Sequence, residues 1–191
     1  MRFEVELKFP LPDAESFRAR LSQLGAVAGA PQKHRDIYFN HPARDFAQTD
    51  EALRIRCIDD AVRVTYKGPL QDPLTKTRRE LEIPLGSGGE TAEQFAEMLL
   101  ALGFRRVRKV IKTRYPFHFS WRDRDFEATI DDVEGLGSYC ELETLADDAD
   151  VDTARQTLLA LAQSLGLTDS ERRSYLRLLL EQDAANPPRS S

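Results

Sequence analysis

Arg2-Phe3-Glu4-Val5-Glu6-Leu7-Lys8-Phe9 lies almost at the start of this 191-residue chain. Side chains alternate faces along a strand. Glu4, Glu6 and Lys8 therefore share one face, and Phe3, Val5, Leu7 and Phe9 share the other. Two carboxylates side by side suit a hard cation, and a lysine one step further suits the anion that such a cation carries. Taken alone, the stretch is also an ordinary strand with one wet face. The rest of the chain decides between the two.

Six further stretches repeat the pattern. Ala52–Ile58 sets Arg54 and Arg56 against Leu53, Ile55 and Cys57, and Ala61–Lys67 sets Arg63, Thr65 and Lys67 against Val62, Val64 and Tyr66. Thr77–Leu85 sets Arg78, Glu80 and Glu82 against Leu81, Ile83 and Leu85. Arg105–Phe119 aligns Arg106, Arg108, Lys112 and Arg114; Phe126–Val133 aligns Glu127, Thr129 and Asp131; Tyr139–Thr144 aligns Tyr139, Glu141 and Glu143. A shorter strand is expected around Asp36-Ile37-Tyr38-Phe39.

Helices punctuate these strands. Asp13 is placed to cap a helix carrying Phe17, Leu21 and Leu24. Thr91 opens a second helix with Phe95, Met98, Leu99 and Leu102, after a Gly86–Gly89 linker. Two more are expected near 152–165 and 169–182. Asp59-Asp60 reads as a tight hairpin turn, and residues 40–50 as a loop. Leu24-Gly25 and Leu102-Gly103 each end a helix and lead toward strands, a weak sign of internal duplication. One domain is expected over residues 1–183, with 184–191 as a disordered tail.

The helices' apolar faces need partners, and the strands' apolar faces are the large supply. That arrangement leaves the charged faces turned inward. The expected fold is α+β: a closed eight-stranded antiparallel β-barrel with a charged lumen and helices packed outside. Such a lumen is expensive unless a charged ligand fills it. Arg54, Arg56, Arg63, Lys67, Arg78, Lys112 and Arg114 are suited to a string of phosphates. Glu4, Glu6, Asp131, Glu141 and Glu143 are suited to Mg²⁺ or Mn²⁺. A polyphosphate with its metal is the best-matching ligand. Glu80 and Glu82 fit salt bridges to neighbouring bases equally well, and Arg63 and Arg108 equally fit a solvated rim.

Composition excludes several alternatives. The chain is 41% hydrophobic and 31% charged, with a net charge of −5, so no global basic field favours nucleic acid. No apolar run is long enough to span a membrane, no signal peptide is expected, and a cytoplasmic protein is the default. Cys57 and Cys140 read as reduced core residues, and the three histidines form no zinc array. Neither a P-loop nor a GxGxxG motif is present.

The stretch Glu4-Val5-Glu6-Leu7-Lys8 resembles the ExExK hallmark of the CYTH superfamily, the triphosphate tunnel metalloenzymes. The resemblance continues through Asp36-Ile37-Tyr38-Phe39, Leu53-Arg54-Ile55-Arg56, Thr65-Tyr66-Lys67-Gly68-Pro69 and Arg78-Arg79-Glu80-Leu81-Glu82. It extends to Lys112-Thr113-Arg114-Tyr115, Asp131-Asp132-Val133-Glu134-Gly135-Leu136-Gly137, Glu141-Leu142-Glu143 and Ser174-Tyr175. The wording is most similar to the class IV adenylyl cyclase branch. The resemblance implies that Glu4 and Glu6 bind metal, that Glu141 and Glu143 complete the site, and that Asp131 supports it. It implies that Lys8, Arg54, Arg56, Lys67, Lys112 and Arg114 bind the triphosphate, that Arg78 and Glu80 belong to the wall, and that Tyr38 can assist the attacking group.

The expected activity is metal-dependent conversion of ATP to cyclic AMP and pyrophosphate, with Glu4, Glu6, Lys8 and Tyr38 as catalytic residues. Hydrolysis of inorganic or thiamine triphosphate is the close alternative, and a non-catalytic polyphosphate sensor a third. The family's bacterial cyclases carry a His-Phe segment before ExExK, where this chain has only Met1-Arg2 before Phe3. The resemblance thus reaches triphosphate binding more firmly than adenine recognition. Expected partners are a small-molecule triphosphate, with neither nucleic acid nor membrane, and the chain is expected as monomer or homodimer.

Overall fold

The computed structural model describes residues 2–69 and 79–186. In chain order the elements are β1 (Arg2–Pro10), α1 (Ala14–Gln23), β2 (Val27–Ala28), β3 (Gln32–Asn40), α2 (Phe46–Thr49), β4 (Ala52–Ile58) and β5 (Ala61–Lys67). Then come β6 (Glu80–Ser87), α3 (Gly89–Ala101), β7 (Arg105–Trp121), β8 (Arg124–Val133), β9 (Gly137–Asp147), α4 (Val151–Ser164) and α5 (Tyr175–Ala185). The class is α+β, as expected. The strand order is β1-β9-β8-β7-β3-β4-β5-β6, with β2 on β7. No ladder joins β1 to β6 among the described residues, so hydrogen bonds do not close the expected barrel.

The chain divides into two compact units, Met1–Pro31 with Thr113–Leu179, and Gln32–Lys112 with Leu180–Ser191. Each has its own core. In the first unit, Phe126, Ala128 and Ile130 of β8 and Cys140 and Leu142 of β9 pack with Phe17 and Leu21 of α1 and Leu158 and Leu161 of α4. Asp13 caps α1 by accepting from the Ser16 backbone N–H at 3.0 Å. In the second unit, Ile37 and Phe39 of β3, Leu53, Ile55 and Cys57 of β4 and Val62 of β5 pack with Ala92, Ala96 and Leu99 of α3. These are the apolar halves of the alternations read from the sequence, so the opposite face of each strand is the polar one.

β4 and β5 run where the alternation places them, and Asp59 takes the left-handed conformation (φ 50°) in the turn between them. β6 departs from expectation. It ends the strand order, and its apolar Leu81 and Ile83 are exposed rather than packed. The loop expected at 40–50 contains the single turn of α2, capped by Asp45. α5 begins at Tyr175, six residues later than read, and extends to Ala185, into the stretch read as tail. No helix is long and apolar enough to cross a membrane among the described residues.

Candidate functional site

In the first unit, antiparallel register arranges the polar face in rows. β1 and β9 place Glu6 against Glu143 and Lys8 against Glu141. β8 and β9 place Glu127 against Glu143, Thr129 against Glu141 and Asp131 against Tyr139. Carboxylate oxygens of Glu4, Glu6 and Glu143 all lie within 4.8 Å of one another. That donor set, oxygen-only and anionic, fits a hard divalent cation. Burial first, and then the hydrogen bond and charge of Glu4 and the charges of Glu127 and Glu6, push the Glu143 carboxyl up to about 9. Glu143 also borders a cleft of about 900 Å³ lined by His118, Asp123, Arg124, Asp125 and Glu127 among others.

The other two expected metal carboxylates are engaged differently. Arg114 on β7 forks onto Asp131, with Nε donating to Oδ1 at 2.8 Å and Nη2 to Oδ2 at 2.7 Å. The same Nη2 also donates to Glu141. The Tyr175 hydroxyl donates to Asp131 Oδ2 at 3.0 Å. The Asp131 side chain is fully buried, and it lies outside the cluster formed by Glu4, Glu6 and Glu143. Burial, then the nearby Glu141 and Asp131 charges, raise the Tyr175 hydroxyl, so it stays a donor. Lys8 is buried; its ammonium donates to the Arg173 carbonyl and lies 4.3 Å from the centroid of the Tyr175 ring.

The second unit carries Arg54, Arg56, Arg63, Lys67 and Lys112 of the expected phosphate-binding bases. Arg56 forks onto Asp36, its strand neighbour in register, at 2.7 and 2.6 Å. Burial raises the Asp36 carboxyl, but the Arg56 bond and charge, with Arg54 and Lys112, outweigh it and hold the group below its ordinary value. Arg54 Nη1 lies 3.6 Å from Asp36 and donates to the Tyr38 hydroxyl at 3.4 Å. Arg54 Nε is buried and has no partner among the described residues. Burial, then the Asp36 charge, raise the Tyr38 hydroxyl, which keeps its proton at neutral pH. Tyr38 can therefore orient a ligand as a donor rather than act as a base.

Lys112 is buried. Lys67 pairs with Glu80 at 3.0 Å, and Arg63 with Glu82 at 2.7 Å, where Thr65 also donates to Glu82 at 3.1 Å. Those ion pairs match the salt-bridge reading of Glu80 and Glu82. Arg108 pairs with Asp183 of α5. Arg78 lies outside the described residues. Asp36 and Tyr175 enter these polar networks through contacts that the sequence reading does not assign. For Asp36, alternation on β3 held the signal, because Ile37 and Phe39 occupy the opposite face.

The family model of the CYTH domain matches residues 2–175. Protein MJ0240 of Methanocaldococcus jannaschii is 38% identical over 178 residues, covering 92% of this chain and 97% of that one. Adenylate cyclase CyaB of Aeromonas hydrophila is 33% identical over 187 residues, covering 95% of this chain and 90% of its own. Among solved structures, the PH1819 protein of Pyrococcus horikoshii superposes with a TM-score of 0.77 at 38% identity, covering 94% of this chain and 99% of that one.

Proposed function

The chain belongs to the CYTH domain family, and from that membership and the site's residues we propose a divalent-cation-dependent enzyme that acts on a triphosphate, converting ATP to cyclic AMP and pyrophosphate. The observation that carries the proposal is the Glu4, Glu6 and Glu143 cluster, whose oxygens crowd within 4.8 Å. Carboxylates this close repel one another unless a proton or a cation intervenes. Mg²⁺ or Mn²⁺ bound by Glu4, Glu6 and Glu143 would neutralise phosphate oxygens. The relative named as an adenylate cyclase, at 33% identity over most of both chains, supports the cyclase form.

The chain's own residues have distinct parts in this reading. Arg54, Arg56, Lys67 and Lys112 hold the phosphate chain and stabilise charge that develops on the leaving pyrophosphate. Arg54 has the buried donor to spare. Lys8 and Arg114 supply positive charge on the carboxylate face. Tyr38 stays protonated and orients. In cyclisation the ribose 3′ oxygen bonds to the α-phosphorus, the bond from that phosphorus to the bridging oxygen breaks, and the hydroxyl proton is released.

One observation favours a second reading, hydrolysis of a triphosphate that carries no base. In the cleft beside Glu143, charged and polar side chains such as His118, Asp123, Arg124, Asp125 and Glu127 outnumber the apolar Phe119, Phe126 and Leu145. In that reaction a water oxygen bonds to the terminal phosphorus, the bond from that phosphorus to its bridging oxygen breaks, and phosphate, the diphosphate product and a proton are released.

The test is a panel of ATP, tripolyphosphate and thiamine triphosphate with Mg²⁺ or Mn²⁺, in which phosphate, pyrophosphate and cyclic AMP are all quantified. Equal cyclic AMP and pyrophosphate from ATP establish the cyclase, and phosphate release alone establishes the hydrolase. Glu4→Ala/Glu6→Ala should keep its fold and lose on the order of 10²–10³ in turnover. Undiminished turnover in that variant rules out the metal assignment.

A further inference from the structure

The buried threonines among the described residues have partners, with one exception. Thr144 donates to the Asp125 carbonyl at 2.7 Å, and Thr65 donates to Glu82 at 3.1 Å. Thr129 is 3% exposed, and its Oγ1 is sealed from solvent with no partner among the described residues. Ala128 and Ile130 on either side of it face the core, so Thr129 lies on the polar face with Glu127 and Asp131. A buried hydroxyl without a partner is destabilising, and a valine would fill nearly the same volume without that penalty.

Thr65 shows what such a hydroxyl can do. Thr65 and Glu82 are register partners across β5 and β6, and Glu82 is held between Thr65 and Arg63. Thr129 and Glu141 are register partners across β8 and β9, and Glu141 is held by Arg114. The two arrangements share a threonine, a glutamate opposite it and an arginine. They differ in that the hydroxyl bond is made in one and not in the other. Side chains of directly opposed residues lie close enough for that bond to form by rotation of the glutamate.

Both N–H donors of Arg114 Nη2 are already spent on carboxylates. Its Nη2 donates to both Asp131 and Glu141, while Nε is taken by Asp131. A phosphate oxygen that draws Nη2 leaves Glu141 without its donor. We propose that Thr129 is a positioning residue for Glu141, its hydroxyl donating to the Glu141 carboxylate in the ligand-bound state. The inference rests on the triphosphate reading of the site. Carboxylates at such sites depend on outer hydrogen-bond donors for their orientation.

The experiment compares wild type with Thr129→Val, Thr129→Ser, Glu141→Gln and Thr129→Val/Glu141→Gln. Each is measured by thermal unfolding without ligand and by calorimetric titration with Mn²⁺–tripolyphosphate. Thr129→Val should unfold at the wild-type temperature or above it, yet bind about tenfold more weakly. Thr129→Ser should recover most of that binding. The double variant should bind no more weakly than Glu141→Gln alone, because Thr129 acts through Glu141. Wild-type binding by Thr129→Val, additive losses in the double variant, or ligand-free unfolding of Thr129→Val several degrees below wild type would each overturn the assignment. Failure of the wild type itself to bind the probe would overturn the triphosphate reading and this inference with it. Loss of the Thr129 effect alone would leave that reading standing.

Discussion

In the unit that carries β1, β8 and β9, one guanidinium, Arg114, stands between two carboxylates, Asp131 and Glu141. In the unit that carries β3, β4 and β5, one carboxylate, Asp36, stands beside two guanidiniums, Arg56 and Arg54. Both arrangements pin a buried aspartate with a forked arginine from a neighbouring strand. They leave opposite surpluses. The first retains negative charge, concentrated in Glu4, Glu6 and Glu143. The second retains positive charge, with an idle buried donor on Arg54. The same element of sheet chemistry thus leaves carboxylates in excess in one unit and guanidinium donors in excess in the other, as the proposed cation and phosphate sites require.

The largest expected effect separates the pinning arginine from the surplus one. Arg114→Met removes the forked guanidinium from a fully buried carboxylate and should cost about 3–5 kcal/mol in urea unfolding. Arg54→Met leaves the Asp36–Arg56 fork intact and removes an unsatisfied donor. Its effect on stability should stay within about 1 kcal/mol, while triphosphate binding weakens. Equal losses of stability in the two variants would break the comparison.

The next effect is a pair of opposite pH limbs. Asp36 is held below its ordinary value of 3.8, so its contribution is present above that pH and is lost as pH falls through the folded value. Glu143 is raised from 4.5 to about 9, so its contribution has the other sign. It is fully present below about 4.5 and is lost as pH rises toward 9. The melting temperature of metal-free protein should fall across that window, and Mg²⁺ should restore it. At pH 7 cation binding should release a proton, visible as a dependence of binding enthalpy on buffer ionisation. Glu143→Gln should flatten both responses. A metal-free melting temperature that is level from pH 5 to 9 would remove Glu143 from the crowded cluster.

Much of this was legible in the sequence, for a definite reason. Period-two alternation identifies strand faces, and Asp59-Asp60 fixes one hairpin, so β4 and β5 were read to the residue. The spacing of Glu4 with Glu6 carries its own meaning, because i and i+2 share a face. Cross-strand register carries no such mark. Nothing in the sequence says that Arg114 meets Asp131 rather than a ligand, or that Thr129 opposes Glu141 and leaves its hydroxyl idle. The late start of α5 has a similar cause. Residues before it are held by long-range bonds, from the Glu171 N–H to the Lys8 carbonyl and from the Lys8 ammonium to the Arg173 carbonyl, instead of by helical ones.

The smallest expected effect tests whether the surplus charge of the second unit matters to folding at all. Lys67 and Glu80 pair at 3.0 Å, but their side chains are 28% and 42% exposed. Solvent screens such a pair, and ordering two long side chains opposes it, so Glu80→Gln should shift stability by less than about 1 kcal/mol. Glu82 differs by one contact, since it also accepts from the buried Thr65 hydroxyl. Glu82→Ala should therefore cost more than Glu80→Ala, because it leaves a buried donor unpaired. Urea unfolding at low and high salt distinguishes the two contributions. The Glu80 effect should shrink with salt, and the excess at Glu82 should persist, as a hydrogen bond out of solvent is weakly screened. If Glu80→Ala proves the costlier change, the Lys67 pair holds the edge of the sheet. Lys67 would then be an anchor like Arg56, and no longer a base left over for an anion.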